Sequence, residues 1–482
     1  MSISNAFNNA VTGLNASGRM AEVVSSNIAN ALTDGYGRRS VDLSAVQLGG
    51  QGAGVRVDGI TRHVNDVALA DRRLASADLG NRERTVAALD QLESAFGLPG
   101  DPAGLSGRLA ALEQSLISAA SDPASDQRLG VVATRLNQLT EGFRDTSATI
   151  QSMRQDADAD IANDISNLNR ALKNIESLNA DIVQLNLSGD DPSGLIDARQ
   201  VVLDDISAIV PIRLMPRDNG AVAVMTTSGE VMLDGPAADY GFVSTPTIVA
   251  DMTYSGGVLG GITRNGQPLS ATDGFGKFSG GALEASFNLR DQVLVDAQES
   301  IDLMAADLIS RFEDPSTDPT LTAGMAGLLT DSGAPYTAAD LVGLSSRLSV
   351  NTAIDPDAGG SLSRLRDGIG AISTGAIGNE QQLVRWSTAL SSPSTIDPAI
   401  PSLSASDKLG RISSQISGIN LIADQDLSFA SARWDTLNAS VLADGVDTDY
   451  EMQMLLQIEQ SYAANAKLIQ AADRMLQSLM EI

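Results

Sequence analysis

From about Ala124 to Leu187, apolar residues return every three or four positions without interruption. Leu129, Val132, Leu136, Leu139, Phe143, Thr146, Ile150, Met153 and Ala157 keep a seven-residue repeat. Successive steps of four then shift the frame through Ile161 to Ile165, Leu168, Leu172, Ile175 and Ile182. A 3.5-residue period holds one stripe toward a partner helix, and the frame shift is a stutter that locally unwinds the supercoil. A helix of this kind needs long partners. One pattern contains Phe287, Leu294, Ala297, Ile301, Met304, Leu308 and Phe312, and another runs Ile412, Ile416, Ile419, Ala423, Leu427, Ala430, Trp434, Leu437 and Val441. Three long helices make one bundle.

Between the first two patterns the texture changes. From about Ile206 to Ser279, short alternating runs are punctuated by Ser228-Gly229 and Asn265-Gly266, the second being the strongest short hairpin signal. The expected fold is therefore mainly α with an inserted β domain. Asp314 to Pro401 is rich in Pro, Gly, Ser and Thr and reads as irregular, with a helix around Gly378 to Leu390.

The heptad period reappears at both ends. Ile3, Phe7, Ala10, Leu14, Ser17, Ala21, Val24, Ile28 and Ala31 form one stripe, in which Gly13 and Gly18 each weaken the isolated helix by roughly 1 kcal/mol. Asn30, Thr33, Asp34 and Gly35 stop it, and "SVDL" and "GVRVDGI" then alternate as a β-ribbon. Helical patterns resume near Asn65. At the other end, Gly445 closes one helix, and Thr448 with Glu451 reads as a capping box for the next. Three columns then repeat every seven residues: Leu455, Tyr462, Ile469, Leu476; Ile458, Asn465, Ala472, Leu479; and Leu468, Met475, Ile482. A face that wide can meet more than one helix. Residues 1–35 with 446–482 are expected to form a terminal coiled-coil domain. Residues 36–205 with 281–445 form a helical bundle carrying the ribbon, and 206–280 form the insert. The same stripes would also suit helices docked on their own subunit.

Charge narrows the partners. Against 32 Lys and Arg stand 60 Asp and Glu, a net −28, so nucleic acid and anionic membranes are excluded as partners. Residues 1–35 carry only Arg19 against Glu22 and Asp34, which lets that segment pack without electrostatic penalty. Cysteine is absent, which rules out disulfides and thiolate metal sites. No secretory signal and no membrane-spanning run is evident. His63 is alone and reads as a surface residue. Asp156, Asp158 and Asp160 lack the glycine of a calcium loop and read as a solvated helix face, and the glycines of "GGQGAGV" read as a turn. No catalytic, cofactor or metal residues are expected, and no enzyme activity.

The residues of the N-terminal stripe and its stop resemble a known signature. Gly13, Leu14 and Ala16, then Asn27, Ile28, Ala29 and Asn30, then Thr33, Gly35, Tyr36 and Arg38 are similar to the G-L-x-A, N-I-A-N and T-x-G-Y-x-basic elements of bacterial flagellar axial proteins. "GVDTDYEMQMLLQIEQSYAANAKLIQAADRML" resembles their C-terminal signature. "GYGRR", the long helices and "GALEASFNLRDQVL" look most like the hook-associated branch, and hook or distal rod subunits are the alternative. Gly37 stands where the family often has serine, and Asp34 where it often has proline.

The resemblance implies a secreted structural subunit at the junction of hook and filament, exported unfolded through the flagellar type III channel. Its terminal helices would be disordered in the free monomer and form the inner tube on assembly. Partners would be further copies of itself, the hook protein, a second hook-associated junction protein and an export chaperone at the C-terminal helix. Ile3, Phe7, Leu14, Val24, Ile28, Leu455, Ile458, Tyr462, Ile469, Leu476 and Leu479 are the expected assembly residues.

Overall fold

A computed structural model of the chain describes residues 3–48, 51–98, 100–270, 272–395 and 402–480. Helix α1 (Ile3–Ala29) is followed by the antiparallel ribbon of β1 (Arg38–Leu48) and β2 (Gln51–His63). The glycines at 49 and 50, expected in the turn, lie outside the described residues. Helices α2 (Asp66–Phe96), α3 (Leu105–Ala120), α4 (Asp126–Ser188) and α5 (Ser193–Ile209) come next.

Helix α4 has 63 residues and is therefore about 95 Å long, the longest described element. Ser125 caps its start by accepting from the Arg128 amide, and Gly189, at φ 84°, ends it in the left-handed conformation that a Cβ would disfavour. Its predicted stripe is covered from end to end. Leu129, Val132, Leu136, Leu139, Phe143, Ile150, Ile161, Leu168, Leu172, Ile175 and Ile182 are all at 0% exposure. The first half of that stripe packs into one core with α2, α3 and, from later in the chain, Leu308, Trp386 and Leu409, and the second half into another with α5 and the β-rich segment.

That segment holds two three-stranded antiparallel sheets. The first is β3 (Ile212–Pro216), β4 (Val222–Thr226) and β5 (Val231–Leu233), and the second β6 (Tyr240–Gly241), β7 (Thr263–Arg264) and β8 (Gln267–Pro268). Asn265 (φ 50°) and Gly266 (φ 79°) form the two-residue turn between β7 and β8, as the dipeptide predicts. Residues 206–209, expected at the start of the insert, are the last turn of α5.

The Phe287 to Phe312 pattern is one helical rod with a defect. It comprises α6 (Gly281–Asn288), a π-turn at Leu289–Val293 and α7 (Leu294–Glu313). Short elements follow in the irregular stretch: β9 (Leu329–Asp331), α8 (Leu344–Arg347), β10 (Leu348–Val350), α9 (Arg364–Asp367) and α10 (Gln381–Ser391). Part of that stretch, residues 396–401, lies outside the described residues. The chain ends with α11 (Ala405–Ala443) and α12 (Thr448–Met480). Helix α11 lies along α2, whereas α4 takes α3, α5 and α7, so the bundle needs more helices than the three patterns suggest.

The Asp156, Asp158, Asp160 run departs from a solvated face. Asp158 is 1% exposed, and one carboxylate oxygen accepts from Arg290 Nη1 at 2.6 Å while the other accepts from the Thr245 amide at 2.6 Å. Residues two apart on a helix point in nearly opposite directions, so one acid of the three turns inward. Arg290 sits in the π-turn, fully buried, and also donates to the Gly260 carbonyl. Buried Arg154 donates to the carbonyls of Val249, Met252 and Arg290. Two arginines on helical elements thus hold the backbone between β6 and β7 against α4.

Candidate assembly surface and its polar root

Helix α1 lies between α12 and the ribbon, contacting both. Its seven-spaced Ala10, Ser17 and Val24 are buried, at 1%, 2% and 5% exposure. On α12 the matching column is Glu451, Ile458, Asn465 and Ala472, of which Glu451, Ile458 and Ala472 are at 0%, 5% and 2%. Glycine at 13 has a specific reason here: a Cβ on it would stand 2.8 Å from Asn465 Nδ2. The residue that weakens the isolated helix is the one that admits its partner. On the ribbon side, the Thr12 hydroxyl accepts from the Val55 amide at 3.3 Å.

The expected assembly residues are unevenly covered. Val24 and Ile458 are buried; Ile3, Leu14, Ile28, Leu455 and Ile469 are half-buried. Phe7, Tyr462 and Leu476 are exposed, at 37%, 46% and 44%. The side chain of Leu479 lies outside the described residues. In the third column Leu468 and Met475 are 56% and 51% exposed, and on the other flank Met452 and Leu456 are 57% and 58% exposed. Within the single chain, α1 covers one edge of an apolar face that extends to either side of it.

At the base of the pair the signature residues converge. Asn27, fully buried, takes the hydroxyl of Tyr36 on its Oδ1 at 2.9 Å and the Arg39 amide at 3.0 Å. Its Nδ2 donates to the Arg39 carbonyl at 2.8 Å and to Glu451 Oε2 at 3.1 Å. The other Glu451 oxygen accepts from Arg38 Nε at 2.7 Å, and that guanidinium lies 5.0 Å from the centroid of the Tyr450 ring. Arg39 and Arg62 then reach Asp197 of α5, at 2.5 and 2.7 Å, and the Gly37 amide donates to the same carboxylate. A Cβ at Gly37 would come within 2.4 Å of Arg62 Nε, so glycine there leaves room for this arginine. Asn30 binds back to the Ser26 carbonyl, and Thr33 to Asn30. One polar cluster therefore joins α1, α12, the ribbon and α5.

Glu451 corrects the capping-box expectation. Asp447 caps α12, accepting from the amides of Asp449 and Tyr450, and this frees the Glu451 carboxylate to turn inward to Arg38 and Asn27. The signal available in sequence was its place seven residues before Ile458 in the buried column. Asn465 stands in the predicted Ile458 column, although not among the expected assembly residues; Asp197 was missed, and nothing local marks it. His63 ends β2 exposed, with Nε2 2.7 Å from the Ser40 hydroxyl. Among the described residues no group of three His, Cys, Asp or Glu could hold a metal ion, and no helix is long and apolar enough to cross a membrane.

The family model for the flagellar hook-associated protein FlgK helical domain matches residues 89–324, from the end of α2 through the β-rich segment and α7. A second, for the flagellar basal body rod FlgEFG protein C-terminal region, matches 441–482 and so contains all of α12. Over these residues the chain is similar to flagellar hook-associated protein 1. Among the similar proteins is flagellar hook-associated protein 1 of Bacillus subtilis, 26% identical over 46% of this chain and 46% of that protein. The Salmonella typhimurium protein of the same name is 28% identical over 49% of this chain and 44% of its own. The chain thus matches just under half the length of these relatives. A solved structure of the flagellar hook junction protein FlgK from Burkholderia pseudomallei is 17% identical, with a TM-score of 0.43 over 54% of this chain and 46% of that one.

Proposed function

We propose that this chain is a hook-associated structural subunit of the bacterial flagellum, exported from the cell and built into the junction between hook and filament by self-assembly through α1 and α12. The observation that carries this reading is the two-sided apolar overhang of α12, with Leu468 and Met475 on one flank and Met452 and Leu456 on the other, all more than half exposed. A fully buried Leu, Ile or Met contributes about 1.5–3 kcal/mol, so neighbouring helices that covered these flanks would stabilise an assembly strongly. The low charge of residues 1–35 in a molecule of net −28 lets several copies bring this end together without repulsion.

In this reading α1 and α12 are disordered in the free monomer and fold as neighbours cover them, forming a terminal coiled-coil domain. The helical bundle and its β insert stay folded throughout. Partners are other copies of the chain, the hook protein, a second hook-associated junction protein and an export chaperone at α12, and the role is structural rather than enzymatic. The test is complementation of a deletion strain with Ile469→Asp or Ile28→Asp. Each variant should be made and exported with its bundle intact, and neither should enter the junction or restore a filament. A motile strain with normal filaments would refute the proposal.

A further inference from the structure

Beside the polar root lies a groove of about 600 Å³, walled by the loop after α1, by α5 and by the end of α11. Leu32 and Leu442 line it, at 99% and 69% exposure, together with Trp434. The loop that carries Leu32 is held in place, because the Thr33 amide donates to the Asn30 carbonyl and the Tyr36 amide to the Thr33 carbonyl. Of the acids on the wall, Asp204 is held by Arg72 and Arg73. Asp34 and Asp205 are exposed and take part in no ion pair among the described residues. The groove therefore suits an apolar surface that carries free cations.

The outer half of α12 presents such a surface. Lys467 and Arg474 are the basic residues of this helix; both are exposed, and neither takes part in an ion pair among the described residues. They stand one heptad apart on one face, about 10 Å along the axis. One step further round the helix, Leu468 and Met475 are 56% and 51% exposed, while Asp473 lies on the other side of the cationic column. Glu481, next in that column by sequence, lies outside the described residues. The remaining acids of the helix, Asp449, Glu451 and Glu459, are in its first half, so α12 runs from acid beside the groove to base farther out. From Thr448 to Met475 the helix rises about 40 Å, which keeps this flank away from the groove of its own chain.

We propose that the groove receives the outer half of α12 from a second copy of this chain, with Leu468 and Met475 against Leu32 and Leu442, and Lys467 and Arg474 at Asp34 and Asp205. The two patches differ and lie at opposite ends of the terminal pair, so the contact is head-to-tail, the type that generates rings or helical arrays rather than closed pairs. Like ends meet acid with acid or base with base, which disfavours the reversed pairing. This inference rests on the self-assembly reading above and names where one flank of the α12 overhang is covered.

The chain has no cysteine, so one placed on each surface reports the contact. Leu442→Cys and Met475→Cys are carried by separate full-length copies co-expressed in a deletion strain, and the isolated flagella are oxidised. A peptide linking 442 to 475, which can join only two different chains, is expected from this strain. Both variants present in the flagella without that link would overturn the contact and leave self-assembly through the helices standing, whereas absence of even the wild-type chain from isolated flagella would overturn both. A second measurement needs no cysteine: Arg474→Glu should lower the amount of chain recovered in flagella roughly tenfold. Asp205→Arg added to it should restore most of that amount, which a merely weakened helix would not do. Wild-type recovery by Arg474→Glu, or a loss that Asp205→Arg leaves unrepaired, would overturn the proposal.

Discussion

Helices α4 and α12 both carry seven-residue apolar repeats, and the structure treats them in opposite ways. Along α4, eleven positions from Leu129 to Ile182 are at 0% exposure, while on α12 only Ile458 and Ala472 among the apolar residues with described side chains are below 9%. The difference is one of supply. Around α4 the same chain provides α3, α5, α7 and the β-rich segment, and beside α12 it provides α1. Periodicity says that a face will be covered; it does not say by whom. Where the chain runs out of partners, the remainder of the face is available to other molecules.

The contrast can be broken most forcefully in the body. Arg290→Ala should destabilise the folded body by about 3–5 kcal/mol in urea unfolding, because it leaves Asp158 as a buried carboxylate facing the Thr245 amide alone. A loss below about 1 kcal/mol would mean that water reaches the pair. At the joint between the two regions, Glu451→Gln keeps the shape and removes the charge that meets Arg38. It should lower the stability of the α1 and α12 pairing by about 1.5–3 kcal/mol, read in assembled material, while leaving urea unfolding of the body unchanged.

A pH series sharpens the same division. Burial raises the Glu313 carboxyl to about 7, against opposing hydrogen bonds from the Tyr336 and Gly327 amides. The folded form therefore holds this proton more tightly than the unfolded chain does. Its contribution is fully present below the ordinary carboxyl value of 4.5 and is lost as pH rises through about 7. The Tm of the body should fall over that interval, and Glu313→Gln should flatten the decline. An unchanged slope in the variant would assign the pH dependence to other groups. The smallest effect is expected on α12: Met475→Ser, at a half-exposed position, should change monomer unfolding by no more than about 0.5 kcal/mol while impairing assembly.

Regular, repetitive features were legible in the sequence. The α4 stripe, the Asn265-Gly266 turn and the ribbon follow from local periodicity and turn chemistry. Helix α2 was harder, because its apolar spacing is weak and what shapes it is α11, more than 300 residues away. The polar cluster was legible only as a motif. Tyr36, Arg38 and Asn27 could be recognised as a set, but their convergence on Glu451 depends on contact between the two ends of the chain. Asp158 and Glu451 were misread for one shared reason. Each has an acceptable local role, helix-face solvation or capping, and a distant arginine outweighs it.

In the proposed assembly α1 and α12 wait for neighbours. Hydrogen exchange on the dilute monomer and on assembled material measures this directly. Amides of Ile3–Ala29 and of α12 should exchange rapidly in the monomer while α4 stays protected, and both ends should become protected on assembly. Strong protection of both ends in the dilute monomer would contradict the account.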